Sequence, residues 1–279
     1  MNASTSPGQL YVVSTPIGNL GDFSFRAVEV LKNVAQILAE DTRHSRTLLD
    51  RYEITTPVAS YHEHNEAKMT PRVLQRLGKG ESFALISDAG TPLLSDPGAR
   101  LVAAVIEAGM TVVPVPGASA LLAALVASGI SADRFTFYGF LPRKGRERAE
   151  LLAELGSLAF TAVLYEAPPR LAETLAELEA AGSGERLAAV AREMTKQFEE
   201  VRRGTVSALR AYYNDTPPRG ELVLILAGVA PASTSEQDVR ERARALRAEG
   251  RSVRDVVAQL VSELGVARNQ AYRIAQEEA

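Results

Sequence analysis

The residues best equipped for chemistry are concentrated in one stretch, Ser87-Asp88-Ala89-Gly90-Thr91-Pro92-Leu93-Leu94-Ser95-Asp96-Pro97-Gly98. It offers carboxylates, hydroxyls and glycines that let a backbone approach a ligand closely. Segments of similar character recur at Glu40-Asp41-Thr42-Arg43, Tyr165-Glu166-Ala167-Pro168-Pro169-Arg170 and Arg192-Glu193-Met194-Thr195-Lys196. Glu40, Asp41, Glu166 and Glu193 are candidate general bases, because a positioned carboxylate can take the proton of a reacting hydroxyl. Each also has an arginine nearby in sequence (Arg43, Arg170 or Arg192), so a structural ion pair is the competing reading.

Several other chemistries are excluded. The chain has no cysteine, so thiolate catalysis, disulfides and cysteine-ligated metals are out. A reducing cytoplasm fits that composition. The phosphate loop Gly-x-x-x-x-Gly-Lys-Ser/Thr, the dinucleotide fingerprint Gly-x-Gly-x-x-Gly and the nucleophile elbow Gly-x-Ser-x-Gly are all absent. His62-Glu63-His64 could hold a metal, but no third ligand is evident and catalytic zinc takes three protein ligands; an exposed polar loop is expected there. A net charge of −3 gives no general pull on nucleic acid, which would need a local basic patch. No apolar run is long enough to span a bilayer, and Met1 to Gly8, polar and loose, lacks a signal peptide's hydrophobic centre.

The elements that must position these groups follow from the apolar pattern. Phe83-Ala84-Leu85-Ile86 reads as a buried strand leading into the central stretch. Asp96 reads as a helix cap and Pro97 as its first turn, with Leu101, Val102, Val105 and Ile106 on one face and Gly109 as the stop. The stretch is then a loop at the carboxyl edge of a sheet, where ligands bind in open α/β folds. Leu10–Val13, Ala35–Ala39, Val58–Ser60 and Val112–Pro116 are further strands, with helices from near Ser24 and over Pro71–Leu77 between them. This βαβα alternation predicts an α/β fold with mostly parallel sheet and helices on both faces.

Pro116-Gly117-Ala118-Ser119 opens a small-residue helix over 120–128 and marks a domain junction. Strands at 135–139, 162–165, 187–191 and 222–227 follow, with a basic helix from Lys144 and another over 171–181. Pro231–Ser235 reads as a linker. The tail carries a helix over 236–249, a capping pattern at Ser252 and Asp255, and a last helix over 268–277. It is either a helix-turn-helix or a small three-helix cap. The expected domains are 1–117, 118–230 and 231–279.

Six motifs now stand in order: Ser14-Thr15-Pro16-Ile17-Gly18-Asn19-Leu20, Glu40-Asp41-Thr42-Arg43, Ser87-Asp88-Ala89-Gly90-Thr91-Pro92, Pro116-Gly117-Ala118-Ser119, Tyr165 to Arg170, and Arg192 to Lys196. Together, over roughly residues 9 to 275, they resemble the ribosomal RNA small subunit methyltransferase I family of the tetrapyrrole-methylase-like superfamily. The resemblance implies two α/β domains with S-adenosylmethionine in the cleft between them, and a cytoplasmic homodimer. It implies methyl transfer to the ribose 2′-hydroxyl of a cytidine in small-subunit ribosomal RNA, free or in the 30S subunit. On that reading the cofactor lies against Pro16, Asp88, Gly90, Thr91, Ser119, Ala120, Tyr165, Glu166 and Gly220. Glu40, Glu166, Glu193 and Lys196 are then the catalytic candidates.

RNA needs cations. Arg143, Lys144 and Arg146, with Arg148, form a basic cluster after Gly139-Phe140-Leu141-Pro142; a solvated helix face is the alternative. Lys196, Arg202 and Arg203 could extend it, and Arg251, Arg254, Arg268 and Arg273 could add a second RNA-binding surface, opposed by Glu277 and Glu278. Two rival functions stay open: a methylase of the same fold acting on a porphyrin-like ring or a protein side chain, and a non-catalytic nucleic-acid-binding protein.

Overall fold

A computed structural model describes residues 6–229 and 235–278. They fall in two compact units, divided between residues 229 and 230. Within the first unit the chain builds two five-stranded sheets in succession.

The first sheet contains β1 (Leu10–Val13), β2 (Gln36–Ala39), β3 (Val58–Ser60), β4 (Phe83–Ile86) and β5 (Val112–Val115), in the order β3-β2-β4-β1-β5. All its pairings are parallel, as the alternation predicts. Its strands are apolar because both faces are covered. Alternation along β4 sends Ala84 and Ile86 towards α1 (Phe25–Asn33) and α2 (Thr42–Arg51), and Phe83 and Leu85 towards α3 (Glu66–Leu77) and α4 (Ala99–Glu107). Val13 pairs level with both Ile86 and Val115, and Ala39 with Ile86. The loops that follow β1, β2, β4 and β5 therefore leave one edge side by side.

The second sheet contains β6 (Phe135–Phe140), β7 (Thr161–Glu166), β8 (Leu187–Arg192), β9 (Glu200–Thr205) and β10 (Leu222–Leu226), in the order β6-β7-β10-β8-β9. Here the expectation of a mostly parallel sheet fails. Only β6 and β7 are parallel; β10 runs antiparallel to both neighbours, and β8 turns back directly into β9. A short connection such as 193–199 can join only antiparallel neighbours. One face is covered by α5 (Ala120–Ser128), the other by α6 (Arg146–Ser157), α7 (Leu171–Leu178) and α8 (Val206–Asp215).

Some boundaries differ from expectation. α3 begins at Glu66 and carries Pro71 inside it. α4 begins at Ala99, with Gly98 at its cap at φ 125° and no side-chain cap, so Asp96 is not a helix cap. Leu101 and Val105 are buried as expected, whereas Ile106 is exposed. α7 stops at Leu178 and a wider turn, Glu179–Ser183, follows.

The second unit is a three-helix fold of α9 (Glu236–Ala248), α10 (Val253–Leu264) and α11 (Arg268–Glu277). Ser235 and Asp238 cap each other's backbone, and Ser252 accepts from the Asp255 amide. The rest of the expected linker, residues 231–234, lies outside the described residues. Val239, Leu246, Val256, Leu260 and Ile274 give the unit its own buried core. Gly265, at φ 62°, turns α10 into α11. Arg273 pairs with Glu236 and Glu277, and Arg251 with Glu249; Arg254 and Arg268 make no ion pair among the described residues.

Candidate active site

The loops on the shared edge of the first sheet are tied to one another. Thr15 and Gly90 exchange backbone hydrogen bonds at 2.8 and 3.1 Å. The Ser14 and Thr91 hydroxyls are 2.9 Å apart, and Thr91 donates to the Ala118 carbonyl at 3.3 Å. Asp88 accepts from the Asp41 amide at 3.2 Å, joining the loop after β4 to the loop after β2. Gly90 takes φ 82°, and a Cβ there would stand 3.3 Å from the Ile17 side chain. Leu93 and Ser95 adopt φ of 74° and 71°. Left-handed backbone at non-glycine residues is costly and gathers at functional sites.

The facing rim comes from the second sheet. Glu193 accepts from the Glu221 amide at 2.9 Å and from Lys196 Nζ at 3.0 Å. Lys196 also pairs with Glu221 at 3.1 Å, and its stem lies where a Cβ on Gly18 would be. Gly220 takes φ 84°, and its missing Cβ would fall 2.3 Å from the Glu193 carboxylate. Glu166 is sealed, at 2% exposure. It accepts from the Ala167 amide at 2.8 Å and the Thr174 hydroxyl at 2.6 Å, and faces Arg170 at 3.5 Å. Thr174 in turn accepts from Arg148 at 2.9 Å.

Between the rims lie two cavities. The first, about 410 Å³, has an apolar wall that includes Ala120, Tyr165, Met194 and Val223, with Asp88, Asp96 and Glu221 set into it. Small-molecule pockets run to about 300–1,000 Å³ with this mix of apolar lining and few polar groups. The second, about 690 Å³, is more polar, with Thr15, Asp41, Arg43, Ser45 and Lys196 among its lining residues. Ile17, Asp88, Ala89 and Glu221 line both, so the cavities share a wall.

The first cavity is acidic. Burial, with the charges of Glu40 and Asp88 nearby, pushes the Asp96 carboxyl up to about 6, against a hydrogen bond from Ser87 that favours its charge. Asp96 has no ion pair among the described residues. Glu40 is raised as well, mainly by burial and then by Asp88, while His62 works the other way. Burial also raises Tyr165. Lys196 is opposed by burial, yet Glu193 and Glu221 outweigh that and hold its ammonium more firmly charged. Glu193 is lowered, first by the Glu221 amide. A cation in the first cavity would relieve the Asp96 carboxylate.

The expected site residues separate accordingly. Asp88, Gly90, Thr91, Ala120, Tyr165, Glu166 and Gly220 line the first cavity; Pro16 and Lys196 line the second. Ser119 lines neither and caps α5 by accepting from the Leu122 amide. Glu40 and Glu193 also line neither. Glu166 is held by Arg170 and Asp41 by Arg43, as their competing reading has it, whereas Glu193 is held by Lys196 and the Glu221 amide while Arg192 pairs with Glu200. Asp96, Glu221, Met194 and Phe140 were not anticipated; Asp96 stood in the central stretch but matched a capping pattern.

The basic stretch divides too. Arg143 and Lys144 are exposed and make no ion pair among the described residues. Arg146 pairs with Glu150 at 2.6 Å on the outer face of α6. Arg148 is not on the surface: it is 4% exposed, on the face that also carries Leu152 and Leu155. There it binds Glu177, Thr174 and the Pro142 carbonyl. Arg202 pairs with Glu200 at 2.8 Å, and Arg203 donates to the Ser128 carbonyl. His62 is half-buried and His64 exposed, and the described residues contain no cluster suited to a metal.

The family model for tetrapyrrole (corrin/porphyrin) methylases matches residues 9–210. A protein of Synechocystis sp. named ribosomal RNA small subunit methyltransferase I is 48% identical over 273 residues, covering 97% of this chain and 98% of its own. Proteins of the same name from Bacillus subtilis and Haemophilus influenzae are 46% and 42% identical, covering 85% and 95% of this chain and 81% and 95% of their own. Among solved structures, a diphthine synthase superposes with a TM-score of 0.64 at 14% identity, over 79% of this chain and 90% of its own. A uroporphyrin-III C-methyltransferase of Thermus thermophilus, solved with S-adenyl homocysteine, gives 0.56 at 17%, over 79% and 97%. The shared architecture, the cavity at the sheet edges and the full-length relatives agree: the chain belongs to the tetrapyrrole (corrin/porphyrin) methylase family, in the branch of ribosomal RNA small subunit methyltransferases I.

Proposed function

We propose that this enzyme transfers a methyl group from S-adenosylmethionine to the ribose 2′-hydroxyl of a cytidine in small-subunit ribosomal RNA. The observation that carries this reading is the pair of cavities with a common wall. The smaller fits the cofactor: its apolar lining suits an adenosine, the glycine backbones at Gly90 and Gly220 leave room, and Asp96 suits a cationic group. When bound, S-adenosylmethionine supplies a methyl already activated for displacement.

The protein's task is then mainly alignment, which can contribute about 7–11 kcal/mol in favourable cases. The larger, polar cavity receives the nucleotide. Of the four catalytic candidates, Lys196 lines that cavity, and its charge is fixed by Glu193 and Glu221. We assign it the binding of the ribose or its phosphate, not proton removal. Glu193 positions Lys196, and Glu166 anchors the loop after β7. Glu40 tunes the acidic wall from behind Asp88. Arg143 and Lys144 meet RNA phosphates, with Arg146 in a lesser role.

A homodimer in the cytoplasm belongs to the same reading; the exposed Leu122 and Val126, one turn apart on α5, support the dimer alone. So does the division into 1–117, 118–230 and 231–279, each sheet bringing one rim. No described helix is long and apolar enough to cross a membrane. The test is methyl transfer from labelled cofactor to small ribosomal subunits or their RNA, followed by nuclease digestion. Label on a ribose is expected. Label on a base, or transfer to a porphyrin-like acceptor instead of RNA, would reject the reading.

A further inference from the structure

Phe140 is 55% exposed, unusual for a phenylalanine that also lines a cavity. Its position is built. The β6–β7 register slips between Phe137 and Gly139, so Tyr138 is an extra residue in β6. Without that bulge Phe137 and Phe140 would point to opposite faces. With it both flank Tyr165, at 4.9 and 5.5 Å between ring centroids. Bulges commonly re-aim side chains beside active sites. Gly139, at φ 60°, closes the bulge against Ser95 of the opposite rim.

The chain beyond Phe140 is pinned from beneath. Arg170 donates to the Leu141 and Pro142 carbonyls at 2.9 and 3.1 Å, and Arg148 to Pro142 at 3.0 Å. Both arginines belong to the buried network around Glu166 and Thr174. An aromatic ring is thus held rigidly at the mouth of the first cavity. Next in sequence come Arg143 and Lys144, exposed and without an ion pair among the described residues. An exposed ring followed closely in the chain by free cations is a combination suited to an unpaired nucleotide: the base stacks and the phosphate is neutralised.

We propose that Phe140 is a positioning residue that stacks an unpaired base of the RNA substrate, with Arg143 and Lys144 on the adjoining phosphates. This rests on the ribosomal RNA reading above. It assigns the mouth of the first cavity a preference for unpaired over duplex RNA. Charge complementarity favours RNA over the cofactor's own adenine as the stacking partner, because the free cations lie outside the cavity and the wall inside is acidic.

The test uses the full-length enzyme, S-adenosylmethionine and small ribosomal subunits lacking the modification. Losing one base–aromatic stack corresponds to about a 5- to 150-fold loss of affinity. Phe140→Ala should raise KM for subunits by a factor in that range, with kcat little changed. Phe140→Trp should restore KM, and Phe140→Leu, which keeps apolar bulk but has no ring, should not. Because Phe140 also lines the cofactor cavity, cofactor affinity is read alongside by calorimetry, and any loss there should be smaller than the rise in KM for subunits. Leucine performing as well as tryptophan, an unchanged KM in the alanine variant, or a loss confined to cofactor affinity would each overturn the proposal. Wild-type protein that leaves the subunits unlabelled would sink the ribosomal RNA reading and this proposal with it. Wild-type labelling with an indifferent Phe140→Ala would remove only the role of Phe140.

Discussion

Replacing Asp96 by asparagine should stabilise the fold while weakening the cofactor site. The wild-type carboxyl is raised from 3.8 to about 6 by burial and by Glu40 and Asp88. At about 1.36 kcal/mol per pKa unit, that shift makes the ionised group a burden of up to about 3 kcal/mol, trimmed by the solvent that reaches it. The sign follows from proton binding. Between 3.8 and about 6 the folded state holds the proton more tightly than the unfolded chain. Stability from this group is therefore full below 3.8 and lost as pH rises through about 6. Asparagine carries no charge, so the variant should be the more stable at pH 8, with the advantage vanishing towards pH 4. Urea denaturation of both proteins without cofactor, at a series of pH values, reads the difference, and titrating groups other than the coupled neighbours Glu40 and Asp88 cancel. Affinity for S-adenosylmethionine should fall about 10- to 150-fold, the loss expected for a hydrogen bond to a charged partner of about 1.5–3 kcal/mol. A variant less stable than wild type at pH 8, or a stability difference that does not change with pH, would refute the strained carboxylate. Unchanged cofactor affinity would refute its role towards a cation.

Alanine at both Arg143 and Lys144 should weaken RNA binding and flatten its salt dependence by about 0.7–0.9 log units per log unit of salt for each phosphate no longer neutralised, whereas Arg146→Ala should do little; salt titrations of RNA affinity distinguish them. Arg148→Ala takes the buried partner from the part-exposed Glu177 and should cost up to about 3–5 kcal/mol in denaturant unfolding, trimmed by the solvent that reaches Glu177 but still more than any of the exposed cations nearby. Gly220→Ala puts a Cβ into the Glu193 carboxylate in a left-handed backbone that alone costs about 1–2 kcal/mol. It should release Lys196 and reduce cofactor affinity at least about tenfold, as calorimetry would record.

The first sheet was legible because its strands are short apolar runs separated by periodic helices, and its capping residues, such as Ser24, sit where their types predict. The second was legible only in part. Leu222–Leu226 announces burial on both faces but says nothing of direction, and β9, Glu-Val-Arg-Arg-Gly-Thr, is a polar edge strand with no apolar run to mark it. The site divides along the same line. The loops that matter could be read from glycine, proline and acidic residues at strand ends. Which carboxylate is free could not, because that depends on how each loop turns its neighbours towards or away from it. Glu166 is met by Thr174 and Arg170 around a turn, and Glu193 by Lys196 and by an amide in another loop. Asp96 has no ion pair among the described residues, and with α4 starting at Ala99 it is no helix cap either. Arg148 looked like its basic neighbours until the helix phase turned it inward.

Two open sheets expose four edges, and an unpaired edge is an invitation to a strand from another molecule. Each edge in this fold is blunted by a different means. β3 has only three residues. β5 carries Pro114, which has no amide to donate. β6 is bent by its bulge, and β9 sets Glu200, Arg202 and Arg203 along its length. The bulge that turns Phe140 to the cavity mouth thus also spoils the template for edge-to-edge pairing. A substitution that straightened β6 would carry a second penalty beyond the site: a longer, flatter, aromatic-rich margin, prone to aggregate as the protein is made.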